Sequence, residues 1–216
     1  MYTPKHFSAP GEEALLDLIR TYPFATLVTT AASGLEVNHL PLYLDDKGTL
    51  SGHVARANQL CQETHGLNEV MAIFHGPHAY VTPAWYPTKA QTGRVVPTWN
   101  YVVVHARGKL RVIEDANWLR AHLTALTAQQ EAAFEQPWQL EDAPAGFIDK
   151  LMQAVVGIEI EITELTGKWK LSQNQSPENQ VGVLQGLSAG DDVHGRDMAA
   201  RKLAELVKAV NRLTVE

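Results

Sequence analysis

Cysteine and long apolar runs are almost absent from this sequence. Cys61 is the one cysteine among 216 residues, which excludes an internal disulfide and a zinc site built from several cysteines. No apolar run approaches the roughly 20 residues that a membrane-spanning helix needs. Residues 1–20 hold no uninterrupted apolar segment behind a basic start, so they do not resemble a signal peptide. From these absences we expect a cytoplasmic protein.

Positive charge is also scarce. The chain carries 18 lysines and arginines against 24 acidic residues, which gives a formal net charge of −6. An acidic chain repels the phosphate backbone of nucleic acids, and the basic residues here are scattered rather than clustered. The sequence also lacks a short helix–turn–helix pattern with a basic second helix. Direct contact with DNA therefore stays open but has no support from charge or motif.

The usual templates of nucleotide-binding folds and hydrolases are missing as well. No GxGxxG or Walker pattern follows a predicted strand. Ser51-Gly52-His53 lies in a strand pattern and does not fit the G-x-S-x-G nucleophile elbow. Six of the nine histidines lie between His39 and His105, but they lack the helical spacing of metal ligands. We therefore predict no metal site and name no catalytic residue.

Short alternating segments predict about six or seven strands. The clearest is residues 155–165, where Ile158 and Ile160 alternate with Glu159 and Glu161, so that one face is buried and the other is wet. The strands do not alternate with long helices, which argues against a doubly wound parallel sheet. We expect a mainly β (α+β) fold: an antiparallel closed or split barrel with peripheral helices and a C-terminal helix.

Glycine and proline predict several interruptions. Gly76-Pro77 is expected to break a strand, residues 105–109 to form a bend, and residues 186–193 to form a loop or linker. The segment 83–97 contains three prolines and a glycine, a composition that disfavours regular structure. Two interpretations of this segment stay open: a lid or binding loop, and an exposed connection.

The sequence pattern centres on residues 35–58, which predict two strands, a turn and a helix start with Asn58 as N-cap. A helix start presents N–H groups and a positive dipole end to phosphate, and Arg56 adds a planar cation. The same residues also fit a surface hairpin whose arginine and asparagine are solvated. The stretch alone leaves both interpretations open.

Four motifs in one order carry a family resemblance. Residues 35–58, together with residues 80–86, 96–101 and 170–174, resemble the PaiB-type FMN-binding negative transcriptional regulators. Those proteins are split-barrel flavoproteins related in fold to pyridoxamine phosphate oxidase. The resemblance covers nearly the whole chain. It implies FMN as the cofactor and a homodimer with the flavin near the subunit interface.

The resemblance also implies a set of cofactor-binding residues. Arg56 would hold the FMN phosphate, and Lys170 would replace the second basic residue that pyridoxamine phosphate oxidases usually place beside that arginine. Trp99 could cover a ring or line a dimer interface, although a core tryptophan is an equal alternative. The full set is Asn38, His39, Leu40, Pro41, Ser51, Gly52, His53, Arg56, Asn58, Trp99, Asn100, Lys170 and Gln173.

Domains and function follow from the same resemblance. Residues 1–175 are expected to form the split-barrel FMN-binding domain with an N-terminal helix, and residues 176–216 a helical extension packed on the barrel. The implied function is negative regulation of transcription. The alternative is a small FMN-dependent oxidoreductase, either flavin reductase-like or acting on haem or a phosphorylated substrate. In that case the flavin would supply the redox chemistry.

Overall fold

The fold is built on a long antiparallel sheet. A computed structural model of the chain describes residues 1–31, 34–63, 68–189 and 197–212. In these ranges seven strands form one sheet in the order β2-β1-β5-β6-β7-β4-β3. The strands are β1 (Phe24–Ala31), β2 (Gly34–Pro41), β3 (Tyr43–Leu44), β4 (Thr49–Ala55), β5 (Asn68–Val81), β6 (Thr98–Ile113) and β7 (Val155–Lys170).

Helices occupy the connections between strands and the C-terminal part of the chain. They are α1 (Glu12–Thr21), α2 (Gln59–Glu63), α3 (Thr88–Thr92), α4 (Ala116–Glu131), α5 (Phe147–Met152), α6 (Pro177–Ser188) and α7 (Asp197–Val210), with 3-10 turns at Lys5–Phe7, Pro83–Trp85 and Leu140–Asp142. Within the described ranges, no helix has both the length and the apolarity to cross a membrane. The predicted antiparallel, β-rich fold with added helices is confirmed.

The chain divides into two compact units. The first unit comprises Met1–Leu15, His75–Val104 and Thr166–Glu216, and the second unit comprises Leu16–Phe74 and His105–Leu165. The predicted boundary between residues 175 and 176 is a different division, and it stays a prediction.

The second unit owes its core to strand alternation. Strand β4 pairs antiparallel with β7, so that Leu50 lies opposite Ile160 and Gly52 opposite Ile158. Leu50, Ile158 and Ile160 are fully buried. Each such side chain contributes about 1.5–3 kcal/mol by leaving water. The residues between them, Ser51 among them, project from the opposite face of the same strands.

The first unit is held together by contacts between α6 and the segment before α3. An ideal Cβ at Gly186 would lie 2.2 Å from the Trp85 ring, and one at Gly182 would lie 2.0 Å from the Trp85 carbonyl oxygen. Residues 186–188 belong to α6 and not to a loop, which corrects that part of the prediction for residues 186–193, and residues 190–193 lie outside the described ranges. The Asn211 side chain donates to the carbonyl of Leu171 at 3.0 Å. Four buried residues line the facing helices: Val183, Leu187, Leu203 and Val207.

Two predicted interruptions are wrong, since β5 and β6 are continuous. Strand β1 pairs with β5 only from Met71 to Phe74, so Pro77 removes no hydrogen bond of that pairing. Gly108 lies within β6, and an ideal Cβ there would approach the backbone oxygen of Glu161 to 2.5 Å, so this close approach requires a glycine. Neither the proline nor the glycine ends its strand.

Candidate functional site

Arg56 follows β4 and is held by the protein itself. Its Nε donates to the Gln153 carbonyl at 3.1 Å and its Nη2 to the Val155 carbonyl at 3.3 Å. Its Nη1 pairs with the Glu114 carboxylate at 3.1 Å. These bonds use three of the five N–H donors of the guanidinium. We call Arg56, Asn58 and Asn38 with these partners the Arg56 site.

A cavity of about 280 Å³ lies beside Arg56 and is acidic. Its lining contains one arginine and the carboxylates of Glu114, Asp115 and Asp149. Asp115 caps α4 by accepting from the Trp118 amide at 2.8 Å, and Asp149 pairs with Arg120. Since Arg120 compensates the charge of Asp149, Glu114 and Asp115 remain as the carboxylates beside Arg56 that disfavour a phosphate dianion. The cavity therefore does not fit the phosphate role that the resemblance gives Arg56, and that role stays a prediction.

Asn58 is the predicted N-cap. Its Oδ1 accepts from the Leu60 amide at 3.0 Å, and its carbonyl accepts from the Cys61 amide at 3.0 Å. Its Nδ2 donates to Oδ1 of Asn38 at 2.7 Å, so two predicted site residues do meet. However, α2 has only five residues and its first amides are bonded within the chain. The start of α2 therefore presents fewer N–H groups to a phosphate than the sequence predicts.

Strand β2 sends its predicted site residues to different faces. Leu40 is buried, and an ideal Cβ at Gly52 would lie 3.2 Å from its methyl group. His39 points the other way, where its Nδ1 lies 3.2 Å from the Thr26 hydroxyl and its ring stacks on Phe24 at 6.5 Å. Asn38 reaches Asn58, and Pro41 ends the strand. A ligand on one face of β2 would thus meet only part of this set.

The tripeptide Ser51-Gly52-His53 is divided in the same way. Gly52 faces the core, where an ideal Cβ would lie 2.8 Å from Leu42. Ser51 and His53 face α4 and both bond to His122. Because successive strand residues face opposite sides, these three positions cannot present side chains to one ligand. The hydrogen bonds that Ser51 and His53 make to α4 show a structural role. Contact of Ser51, Gly52 and His53 with a cofactor stays a prediction.

The sequence analysis did not single out His122. Its Nδ1 lies 2.9 Å from the Ser51 hydroxyl and its Nε2 lies 3.2 Å from Nδ1 of His53. The Trp118 ring stacks on the imidazole at 5.5 Å. Burial, and then the charge of His53, lower the pKa of His122 to about 4. The sequence did contain a signal that His122 is buried, because this residue lies three positions after Leu119 on the apolar stripe of α4.

The first unit contains the other four predicted residues. Asn100 is fully buried and exchanges hydrogen bonds with Ser172 at 3.0 and 3.2 Å. The Gln173 side chain closes a turn by accepting from the Leu171 amide at 2.7 Å and donating to the Trp169 carbonyl at 2.5 Å. These bonds fix the chain after β7 against the start of β6. Asn100 and Gln173 therefore hold in place the backbone next to Trp99 and Lys170.

Lys170 and Trp99 are the two remaining predicted residues of the first unit, and both are more exposed than Asn100. The Lys170 Nζ donates to the Thr98 hydroxyl at 2.5 Å and to the Trp99 carbonyl at 2.6 Å. Partial burial, and then the charge of Lys168, lower the pKa of Lys170. The Trp99 side chain is 44% exposed and contacts the Tyr80 ring at 5.9 Å. Trp99 is thus not a core tryptophan, and part of its side chain reaches the surface.

The segment 83–97 is partly ordered by helical turns, contrary to the expectation of irregular structure. Tyr86 is buried, and the Thr88 hydroxyl donates to the Asn179 side chain at 3.0 Å. Trp85 packs on the glycines of α6. Trp85, Tyr86 and Thr88 thus fix this part of the segment, and two of them contact α6, so the structure supports a docked connection here and not a lid.

An FMN molecule needs a cation for its phosphate and a flat surface for its ring. Arg56 has three of its five N–H donors engaged, and carboxylates line the cavity beside it. In the first unit, Lys170 lies beside the exposed indole of Trp99. The indole and the ammonium fit a flavin mononucleotide, and the carboxylates make the Arg56 site fit its phosphate less well.

Comparisons with known proteins agree with the predicted resemblance. Residues 1–164 match the family model described as "Putative FMN-binding domain". The chain is 28% identical over 213 residues to the protease synthase and sporulation protein PAI 2 of Bacillus subtilis, a match that covers 97% of this chain and 100% of the relative. It is 35% identical over 211 residues to an uncharacterised protein of Emericella nidulans, covering 80% and 84%.

Solved structures show the same fold at low identity. A conserved hypothetical protein from Mycobacterium tuberculosis is similar with a TM-score of 0.58 at 14% identity, over 82% of this chain and 94% of that one. The FAD and heme binding protein from Mycobacterium smegmatis has a TM-score of 0.58 at 16% identity, over 76% and 73%. The predicted split barrel is confirmed. With a family model that matches three quarters of its length, the chain belongs to the FMN-binding domain family, and its cofactor is FMN.

Proposed function

We propose that this protein is an FMN-binding negative regulator of transcription of the PaiB type, which acts in the cytoplasm as a homodimer. The observation that carries the proposal is the end-to-end match with the Bacillus subtilis PAI 2 protein, which leaves almost no residue of either chain uncovered. A match of that extent supports a common molecular role better than a shared domain does.

The sheet surface of the second unit supports the homodimer. Phe24, Leu35 and Val37 are 65%, 75% and 55% exposed. The register of β1 with β2 places Phe24 and Val37 on the same face, with Val28 directly opposite Val37. Large apolar side chains grouped on one sheet face are typical of an interface. A second copy of the chain would remove them from water.

The charge of the chain supports indirect regulation. A net charge of −6 opposes binding to the DNA backbone. The regulatory effect would then depend on a protein or metabolite that recognises the dimer. When bound, FMN supplies a redox-active ring, while Trp99 and Lys170 would hold it from the first unit. Asn100 and Gln173 would keep those two side chains in position.

Transcript profiling of a deletion strain tests the proposal. We expect a defined set of transcripts to rise on deletion and to return to the original level when the wild-type gene is restored. A deletion that changes no transcript would contradict regulation. Gel-shift assays at low salt with the upstream region of the gene should give no specific complex. A specific complex would replace indirect regulation by direct repression.

A further inference from the structure

Several large apolar side chains of the second unit reach the surface between the end of α4 and the end of α5. They are Phe134, Trp138, Phe147 and Leu151, and their exposed fractions run from 42% at Trp138 to 63% at Phe134. Exposed apolar side chains that are grouped, aromatic ones above all, mark interaction surfaces of soluble proteins. We call residues 131–152 the α4–α5 surface.

Hydrogen bonds hold the two aromatic residues after α4 around Glu131, the last residue of that helix. The Phe134 amide donates to the Glu131 carbonyl at 3.0 Å, and the Trp138 amide donates to the Glu131 carboxylate at 3.0 Å. Both aromatic residues therefore belong to one fixed turn. An aromatic side chain that is already positioned loses little conformational entropy when a partner binds it.

Phe147 and Leu151 form a second apolar pair, which we call the α5 pair. Residues four positions apart lie on the same side of a helix, and both side chains are about half exposed. Asp149 of α5 pairs with Arg120 of α4, and this ion pair joins the two helices. The aromatic turn and the α5 pair are thus both attached to α4.

A groove of about 280 Å³ adjoins the α5 pair. Its apolar lining includes Leu140 and Pro144, together with Gly146 and Ile148, which flank Phe147 in the sequence. Pockets for small-molecule ligands usually enclose about 300–1,000 Å³. The groove therefore accommodates a side chain of a partner better than a whole small-molecule ligand.

The α4–α5 surface also carries most of the negative charge of the chain. Its five acidic residues and one lysine give it a net charge of −4, against −6 for the whole chain. The carboxylates of Glu131, Asp142 and Asp149 are bonded to an amide or to Arg120. Among the residues that the structure describes, Glu135 and Glu141 form no ion pair. These two carboxylates can therefore meet the positive charge of a partner.

We infer that the α4–α5 surface binds a basic amphipathic helix of another protein. Apolar side chains of that helix would cover the α5 pair and enter the groove, and its lysines or arginines would face Glu135 and Glu141. An amphipathic helix offers apolar anchors three and four residues apart, which is the usual way in which a helix fills an apolar groove. The inference goes beyond the proposed function, because such binding depends neither on FMN nor on regulation of transcription.

Charge favours this occupant over the alternatives. Nucleic acids and anionic membrane surfaces would be repelled by a surface with a net charge of −4. A second copy of the chain in a two-fold symmetric contact would bring the same surface, and therefore the same charge, against itself. A basic segment of another protein avoids both conflicts.

Selection of peptides on the full-length protein tests the inference. The probe is a phage-displayed library of random peptides of about 16 residues, which is roughly four helical turns. Each enriched peptide would be synthesised with a fluorescent label, and its affinity would be measured by fluorescence anisotropy. We expect enriched peptides to contain lysine or arginine and apolar residues three and four positions apart. Their affinity should fall as the salt concentration rises.

A charge-reversal variant tests the acidic residues. Glu135→Lys combined with Glu141→Lys should weaken binding of an enriched peptide by about 10-fold or more. The matched control is Asp46→Lys combined with Glu205→Lys, which changes the net charge equally at exposed positions outside the surface. The control should retain the wild-type affinity within about twofold, because exposed charges at a distance are screened by salt.

A second variant tests the apolar contact. Leu151→Ser removes one side chain of the α5 pair and should weaken the same peptide by about 5- to 10-fold. Val96→Ser, at an exposed valine of the first unit, is the matched control and should bind as the wild type does. Circular dichroism and size-exclusion chromatography would verify folding and assembly of every variant.

The inference is overturned if the library yields no binding peptide, or if the enriched peptides are acidic or lack the apolar spacing. Equal affinities of the surface variants and their controls would also overturn it, because the peptides would then bind elsewhere. Loss of assembly in the charge-reversal variant with unchanged peptide affinity would assign the surface to a second copy, and overturn it as well. The transcript profile of the deletion strain tests the proposed function separately.

Discussion

Arg56 in the second unit and Lys170 in the first unit are both cations bonded to polar groups, but their surroundings differ. Arg56 is bonded to two carbonyls and a carboxylate beside an acidic cavity. Lys170 is held by two oxygens beside an exposed indole. Among the described residues, Arg56 uses three of its five N–H donors and Lys170 two of its three, so the number of donors does not distinguish the two cations. The comparison shows that the groups around a cation, here carboxylates at Arg56 and an indole at Lys170, decide which ligand it favours.

The largest expected effect concerns the Ser51–His122–His53 chain of the second unit, which we regard as structural. Burial lowers the pKa of His122 to about 4, below the 6.5 of the unfolded chain. The contribution of neutral His122 to the free energy of unfolding is therefore complete above pH 6.5. It is lost as the pH falls from 6.5 to 4, because the unfolded state binds more protons over this range. Over that window the free energy of unfolding should fall by on the order of 3 kcal/mol.

Urea denaturation between pH 4 and pH 7.5 measures this loss. His122→Phe should remove the part of the pH dependence that comes from His122 and leave the part that comes from His53, whose pKa burial also lowers. His39→Gln, at an exposed position of β2, is the control for the loss of a histidine. A variant at His122 with the wild-type pH profile would show that the chain is not structural. The second unit would then regain a candidate ligand site at Ser51 and His53.

A second prediction addresses the apolar face of the second unit. Leu35→Lys combined with Val37→Lys would place two charges in the proposed interface of each copy, and the dimer should weaken by about 100-fold or more. Light scattering over a concentration series measures this change. The control is Trp138→Lys, an exposed aromatic position outside that face. Dimers that survive the double change would assign assembly to another surface.

A third prediction compares two asparagines, one in each unit. Asn100→Ala leaves the buried Ser172 hydroxyl without its partner and should cost about 1–3 kcal/mol of unfolding free energy. Asn38→Ala breaks a half-buried bond to Asn58 and should cost about 1 kcal/mol or less. Thermal and urea unfolding of both variants measure the difference. Equal losses would show that the first unit does not depend on its buried amide.

The smallest expected effects belong to Arg56 and its carboxylate. Glu114→Gln removes a surface ion pair and should change stability by at most about 0.5 kcal/mol. Arg56→Ala also removes two bonds to carbonyls and should cost about 1 kcal/mol of stability. FMN affinity should change by less than about threefold in either variant. A tenfold loss of FMN affinity in Arg56→Ala would reverse the comparison between the two sites.

Alternation and turn residues were sufficient to predict most of the fold. The spacing of Ile158 and Ile160 predicts β7, and Asn58 is the N-cap that its position indicates. Gly108 and Gly186 were misinterpreted because a glycine that permits a close approach has the same letter as one that ends an element. Only the neighbouring chain, here Glu161 or Trp85, distinguishes the two.

The candidate site was less predictable. Resemblance indicated Trp99 and Lys170, which the structure places beside each other. The partners that engage Arg56 lie 58 to 99 residues further along the chain, and no local pattern indicates them. His122 was missed for the same reason, since its partners Ser51 and His53 are on a strand about 70 residues earlier. Long-range contacts decide which polar residues remain available to a ligand.

A crystal structure of the protein with bound FMN tests the central claim most directly. We expect the isoalloxazine ring to lie against the Trp99 indole, with the Lys170 ammonium bonded to an anionic oxygen of the ligand. An FMN whose phosphate instead displaces Glu114 from Arg56, with Trp99 uncovered, would contradict the account.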